Sequence, residues 1–302
     1  IYLSKTDGSR QISESNGTIM NTFKENYSHY IDVGFEKIVK DFLENSRAYV
    51  SATFWGHGGV GKTACIQKVC YDYFNDTKKK FSYIIFITAK DRIYNPKTGE
   101  ILSATGNISR YVDVVKAISK VLFDYDEETF DHKSVDEYVQ QISDFRDNIL
   151  IVIDDYETFE DSEKEKISSF IGKLNATYHK VIITTRNKRF ALGMPISCNE
   201  LDCASTDKFI RSIVAEQYPS HYSDIDRLLK DSNNLECIYK ATSGRPIFIY
   251  QFIYLFIQKG FLTNLISGIR SSTNAQEFLY GRIYQYLSKN AQYLFVSISA
   301  LV

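Results

Sequence analysis

Gly56-His57-Gly58-Gly59-Val60-Gly61-Lys62-Thr63 is the stretch whose reading decides the fold. Ahead of it, Ala48-Tyr49-Val50-Ser51-Ala52-Thr53-Phe54-Trp55 reads as a strand; after it, Ala64-Cys65-Ile66-Gln67-Lys68-Val69-Cys70 reads as a helix start. Strand, glycine loop, Lys-Thr and helix make a phosphate-binding P-loop in the context that motif requires. Glycines let backbone N–H groups turn inward toward phosphate oxygens, an approach a Cβ would block. The helix N-terminus adds partial positive charge and unpaired donors. Lys62 is expected to reach the β- and γ-phosphates of ATP and the Thr63 hydroxyl to sit on Mg²⁺. The expected nucleotide contacts are therefore Gly56, Gly58, Gly59, Val60, Gly61, Lys62, Thr63 and Ala64. His57 occupies a variable loop position and is assigned no chemistry.

The second decisive stretch is Asn148-Ile149-Leu150-Ile151-Val152-Ile153-Asp154-Asp155-Tyr156. An apolar run ending in an acidic pair reads as a buried strand with carboxylates at its C-terminal end, the Walker B pattern. Asp154 is expected to orient a water on Mg²⁺, and Asp155 to position or polarise an attacking water. Glu157 is a second choice of base. Another continuous apolar strand, Ser82 to Thr88, lies between the P-loop helix and this one. It predicts an α/β fold with a parallel sheet in the order 5-1-4-3-2, the P-loop branch that inserts a strand there. Lys180-Val181-Ile182-Ile183-Thr184-Thr185-Arg186 is the next strand. Beside Walker B it would end on the phosphate rim, within reach of a γ-phosphate for Arg186.

The 302 residues carry a net charge of −1, so no global field draws nucleic acid or anionic membrane. Nucleic acid and membrane are accordingly not expected partners. Five cysteines without a Cys-x-x-Cys pair, and scattered histidines, fit a reduced cytoplasmic compartment and no zinc site. The longest apolar run, Ile247 to Ile257, is far short of the ~20 residues a membrane helix needs. The chain begins at Ile1 and stops at Val302 inside an apolar helical pattern, so a fragment of a longer protein is expected.

Residues 1–28, polar with Gly8 and Gly17, read as a linker from a missing N-terminal domain. Residues 29–202 read as the nucleotide-binding domain, 203–285 as a helical domain and 286–302 as the start of a further one. Tyr30 to Val33 and the apolar spacing of Ile38, Val39, Phe42 and Leu43 fit either a base pocket or an ordinary packing helix. Asn95-Pro96-Lys97-Thr98-Gly99 marks a hairpin between Ile93-Tyr94 and Ile101-Leu102. Pro195 to Leu201 is a last short strand, and Ser205 a candidate N-cap for the first helix after it.

In order, the P-loop, Ile151-Val152-Ile153-Asp154-Asp155, Thr184-Thr185-Arg186, and Gly244-Arg245-Pro246 before an apolar helix resemble the STAND signalling NTPases. Within them they resemble the NB-ARC (AP-ATPase) type of apoptotic, plant-immune and bacterial defence proteins. The resemblance spans about residues 30–302 and implies that Arg186 senses the γ-phosphate and that Pro246 lines the nucleotide pocket. It further suggests base contacts from Ile31 and Val33, although Gly34-Phe35-Glu36 stands where the family has Gly-Arg-Glu. Residues 286–295 resemble the start of the family's winged-helix domain.

The implied activity is an ATP/ADP switch with slow, regulatory ATP hydrolysis. ADP would hold a closed monomer, and a trigger such as a foreign protein would open it. ATP would then drive self-assembly and bring missing N-terminal effector domains together, under a missing C-terminal sensor. Immune or antiviral defence follows from the resemblance alone. Two other readings stand beside it: an AAA+-type DNA-handling ATPase (an initiator or loader), and a nucleotide-gated scaffold that does not hydrolyse.

Overall fold

The computed structural model describes residues 12–21, 30–89, 92–94, 101–103, 108–124 and 134–259. The chain divides into two compact units, Ile1–Asn199 and Glu200–Val302.

The first unit is built on a seven-stranded sheet. Its strands are β1 Ile12–Ser15, β2 Thr18–Asn21, β3 Ser51–Trp55, β4 Tyr83–Thr88, β7 Ile149–Asp154, β8 His179–Thr185 and β9 Met194–Ser197. The spatial order is β1-β2-β4-β7-β8-β3-β9, and every neighbouring pair except β1–β2 is parallel. Numbered from the P-loop strand β3, the last five strands run 5-1-4-3-2, as the inserted apolar strand predicts.

The central strand β7 shows why its sequence is a continuous apolar run. Ile149, Ile151 and Ile153 enter one core, together with Val114, Ile118, Tyr138, Ile142, Ile167 and Phe170 from the helices of that face. Leu150 and Val152 enter the opposite core, with Phe42, Leu43, Ile66 and Val69. Both faces are covered, so both parities must be apolar. Helices α1 Phe35–Asn45 and α2 Lys62–Asn75 cover the second face; α3 Tyr111–Phe123, α4 Val135–Asp144 and α5 Asp161–Lys173 cover the first. The expected hairpin is present as β5 Arg92–Tyr94 and β6 Ile101–Ser103, an antiparallel pair outside the main sheet.

The reading of residues 1–28 as linker fails at 12–21. That segment is a β-hairpin, and β2 lies parallel to β4, with Ile19 opposite Tyr83 and Met20 opposite Ile84. Its turn is Asn16-Gly17, both at positive φ (50° and 75°), the arrangement a two-residue hairpin turn favours. Thr18 Oγ1 donates to the Phe81 carbonyl at 2.7 Å. Asn21 brackets Phe86, accepting from its N–H and donating to its carbonyl, each at 2.8 Å. Strand β3 begins at Ser51 rather than Ala48, and β9 ends at Ser197 rather than Leu201.

The second unit is helical over its described residues: α6 Cys203–Gln217, α7 Tyr222–Leu229, α8 Ser232–Thr242 and α9 Pro246–Lys259. Buried Phe209, Ile210, Ile213, Ile225, Ile238, Ile249, Phe252 and Ile253 supply its apolar side chains, and Phe209 meets Tyr250 edge-on at 5.5 Å. The cap of α6 is Asp202, whose Oδ1 accepts from Ser205 N at 2.7 Å, so Ser205 is the capped residue and not the cap. Gly244 sits at φ +63°, and a Cβ there would come within 2.0 Å of the Leu201 carbonyl oxygen. A side chain is therefore excluded between Leu201 and Pro246. The end of the expected helical domain, 260–285, and the winged-helix start at 286–302 lie outside the described residues. No described helix is long and apolar enough to cross a membrane.

Candidate functional site

Parallel strands all end on one rim, and four of them bring the sequence motifs together there. The P-loop leaves β3 at Trp55. Its start is fixed by Gly56 N–H donating to the Thr185 carbonyl at 3.2 Å and by Cys198 N–H donating to the Trp55 carbonyl at 2.7 Å. A Cβ on Gly56 would lie 2.2 Å from the Cys198 carbonyl oxygen, so the loop can pass this close to the strand-end backbone only with glycine. Gly59 and Gly61 take φ of 80° and 100°, and α2 starts at Lys62 directly after Gly61.

Lys62 is 6% exposed. Its Nζ donates to the carbonyls of Gly56 at 2.7 Å and His57 at 2.9 Å, folding the side chain back into the loop. Burial lowers its pKa from the usual lysine value; the carboxylate charges of Glu157, then Asp155 and Asp154, act the other way.

Asp154 closes β7 and is fully buried. Three hydroxyls from three elements converge on it. Thr63 Oγ1 on α2 is 2.9 Å from Oδ1, Thr184 Oγ1 at the end of β8 is 2.6 Å from Oδ1, and Thr88 Oγ1 at the end of β4 is 3.4 Å from Oδ2. Register explains two of these: Thr88 is the partner of Asp154 across β4–β7, and Ile183, next to Thr184, pairs with Ile153 across β7–β8. Thr184 Oγ1 also accepts from the Asp155 N–H at 2.9 Å. Asp155 is 5% exposed and left-handed (φ 58°, ψ 48°), which ends the strand and turns the chain into the 3₁₀ segment Tyr156–Thr158. In that turn Glu157 faces Arg186, with Nε 3.1 Å from Oε1. Arg186 also lies over the P-loop: a methyl group on Gly58 would be 3.7 Å from its Cζ.

Lys62, Thr63, Asp154, Asp155 and Arg186 are thus gathered at one rim. Sequence reasoning passed over Thr184 and Thr88, whose proximity depends on strand register, and ranked Glu157 behind Asp155. Ile31 and Val33 are half-buried in the segment leading to α1, where Asp32 Oδ1 accepts from Gly34 N at 2.9 Å and Glu36 N at 3.2 Å. Phe35 in that helix meets Phe54 of β3 at 5.7 Å. Pro246 is the first residue of α9 in the second unit.

Among the described residues no group of three or more His, Cys, Asp or Glu side chains could hold a metal ion. One threonine hydroxyl and one buried carboxylate suit Mg²⁺ instead, which keeps waters and shares its ligands with substrate phosphates.

No protein-family model and no curated protein matches the chain. The solved structures to which the chain is similar share little sequence with it. Domain III of the Thermotoga maritima replication initiation protein DnaA is 12% identical over 79% of this chain and 96% of that one, with a TM-score of 0.44. Cdc6p from Pyrobaculum aerophilum is 15% identical over 78% and 66%, with a TM-score of 0.48. Drosophila ORC bound to DNA is 13% identical over 84% and 67%, with a TM-score of 0.44.

Proposed function

We propose that this chain is a Mg-ATP-binding P-loop ATPase module whose bound nucleotide sets its assembly state. The observation that carries the reading is the meeting of Thr63 Oγ1 with the buried Asp154 carboxylate at 2.9 Å, beside a lysine folded into a glycine loop. Mg²⁺, when bound, would neutralise phosphate charge and orient water. Thr63 and Asp154 would hold it, the latter through water. The P-loop amides from Gly56 to Ala64 would bind phosphate oxygens. Lys62 would exchange its two carbonyl partners for the β- and γ-phosphates, whose negative charge adds attraction that neutral carbonyls lack. Asp155 would turn an attacking water, and Arg186, already over Gly58, would meet the γ-phosphate.

The test is to denature the purified protein, identify the nucleotide released, and follow ATP turnover. Bound ADP or ATP, with Mg-dependent turnover abolished by Asp155→Asn, supports the reading. A chain that carries none, and neither binds nor hydrolyses added ATP, refutes it.

Two uses of such a module are open to one experiment. The signalling switch, with slow hydrolysis, effector domains and a defence role, is supported by the motif order through Thr184-Thr185-Arg186 and Gly244-Arg245-Pro246. The DNA-handling ATPase is the use better supported by the structures of similar fold, which include replication initiators and an ORC bound to DNA. DNA therefore stands among the candidate partners despite the net charge of −1. Duplex affinity falling steeply with salt favours DNA handling. ATP-dependent self-assembly without DNA affinity favours the signalling switch.

A further inference from the structure

Glu157 is the acidic group at the rim whose arrangement the roles above leave unexplained. Neither of its carboxylate oxygens contacts solvent, and neither has a hydrogen-bond donor among the described residues. An ionised carboxylate in that position is costly unless a cation compensates it. The cation facing it is Arg186, with Nε 3.1 Å away in a geometry that misses a hydrogen bond. Arg186 is itself 63% exposed and rests against the Gly58 backbone. The 3₁₀ turn holds Glu157 in place: Thr158 N–H and Oγ1 both bond to the Asp155 carbonyl, at 3.0 and 2.8 Å. Among the rim carboxylates, Glu157 also acts most strongly on the charge of Lys62.

We infer that Glu157 is a resident anion competing with the γ-phosphate for Arg186, and that it sets how strongly the site prefers a nucleoside triphosphate over a diphosphate. The inference rests on the proposed ATP site. A γ-phosphate brings hydrogen-bond acceptors and more negative charge than the carboxylate, so Arg186 gains bonds by moving to it. Glu157 makes that move cost something, because it leaves a buried carboxylate without its cation. A diphosphate has no γ-phosphate to draw Arg186 away, so the pair persists. Glu157 is by this account a positioning residue that acts through Arg186.

Dissociation constants for ATP and for ADP, measured by calorimetry with the hydrolysis-impaired Asp155→Asn chain as background, test this. Adding Glu157→Gln should raise the ATP-over-ADP preference by about three- to fivefold, the scale of an ion pair whose arginine is largely exposed. In an Arg186→Gln background the same substitution should leave that ratio within about twofold. A ratio unmoved by Glu157→Gln, or moved equally in both backgrounds, overturns the inference. If Glu157→Gln does not fold, Glu157→Asp, which withdraws the carboxylate by one methylene, must shift the ratio the same way, and no shift is equally fatal. Failure of the parent chain to bind either nucleotide would refute the ATP site itself, a different result from an unchanged ratio.

Discussion

The two ends of the central sheet each bury a lysine, and the two lysines are held alike but surrounded differently. At the P-loop rim, Lys62 (6% exposed) donates to the carbonyls of Gly56 and His57. At the opposite end, Lys180 (7% exposed) donates to the carbonyls of Ser46 and Tyr49. Burial lowers the pKa of both. Around Lys62, however, the charges of Glu157, Asp155 and Asp154 oppose that shift, whereas around Lys180 the charge of Lys80 adds to it. The partner of Lys180 besides its two carbonyls is the face of Phe42, with Nζ 5.3 Å from the ring centre. Two carbonyls are enough to seat an ammonium group. A converging set of carboxylates and a glycine loop are what distinguish a site from a staple between β8 and the turn after α1.

The difference can be broken from either side. Lys62→Ala should weaken ATP binding by about a hundredfold or more in calorimetry, since two charge-assisted contacts to phosphate at about 1.5–3 kcal/mol each are lost. It should leave the melting transition cooperative. Lys180→Met should do the reverse. Ser46 and Tyr49 lose their donor, lowering unfolding free energy in urea by about 1–3 kcal/mol, with ATP affinity unchanged. Thr184→Val sharpens the rim side: Asp154 loses the hydroxyl at 2.6 Å and the Asp155 N–H loses its acceptor. Mg-ATP affinity should fall by about tenfold, with part of the loss recovered at high Mg²⁺.

The smallest effect is a pH dependence at the far end. His179 is fully buried, with Nε2 3.0 Å from the Phe145 carbonyl and Nδ1 accepting from Asn175 N at 3.2 Å. Burial lowers its folded pKa below 6.5, so below that pH the unfolded chain binds the extra proton and the folded chain resists it. The contribution of His179 is complete above about 6.5 and lost as pH falls through the window beneath it. Melting temperature should drop on acidification from neutral, and His179→Gln should flatten that part of the curve.

The parts of the molecule carried by local pattern were legible in the sequence. Glycine spacing marked the P-loop, and the apolar run from Ile149 to Ile153 marked a strand buried on both faces. The order 5-1-4-3-2 followed from one extra apolar strand. What was missed depends on pairing between distant segments. Thr184 and Thr88 meet Asp154 only because three strands end in register. Glu157 ranked low because the left-handed turn at Asp155 that aims it is set by the fold. The hairpin at 12–21 did carry a local signal, Asn16-Gly17 between Ile12 and Ile19, but Ser, Glu and Thr around it gave a linker-like composition. Its stability comes from β4, which the segment itself cannot reveal. Asp202, three residues before Ser205, was an equally good cap, and only the start of the helix decides between them.

The most direct test of the central claim, that the rim built by Lys62, Thr63 and Asp154 is a Mg-nucleotide site, is a calorimetric titration of ATP into the wild-type chain stripped of nucleotide, with Mg²⁺ and with excess EDTA. The account predicts one site per chain, tightened by Mg²⁺, and loss of that tightening in Thr63→Val. Absence of binding, or binding equally tight without Mg²⁺ and in Thr63→Val, would contradict it.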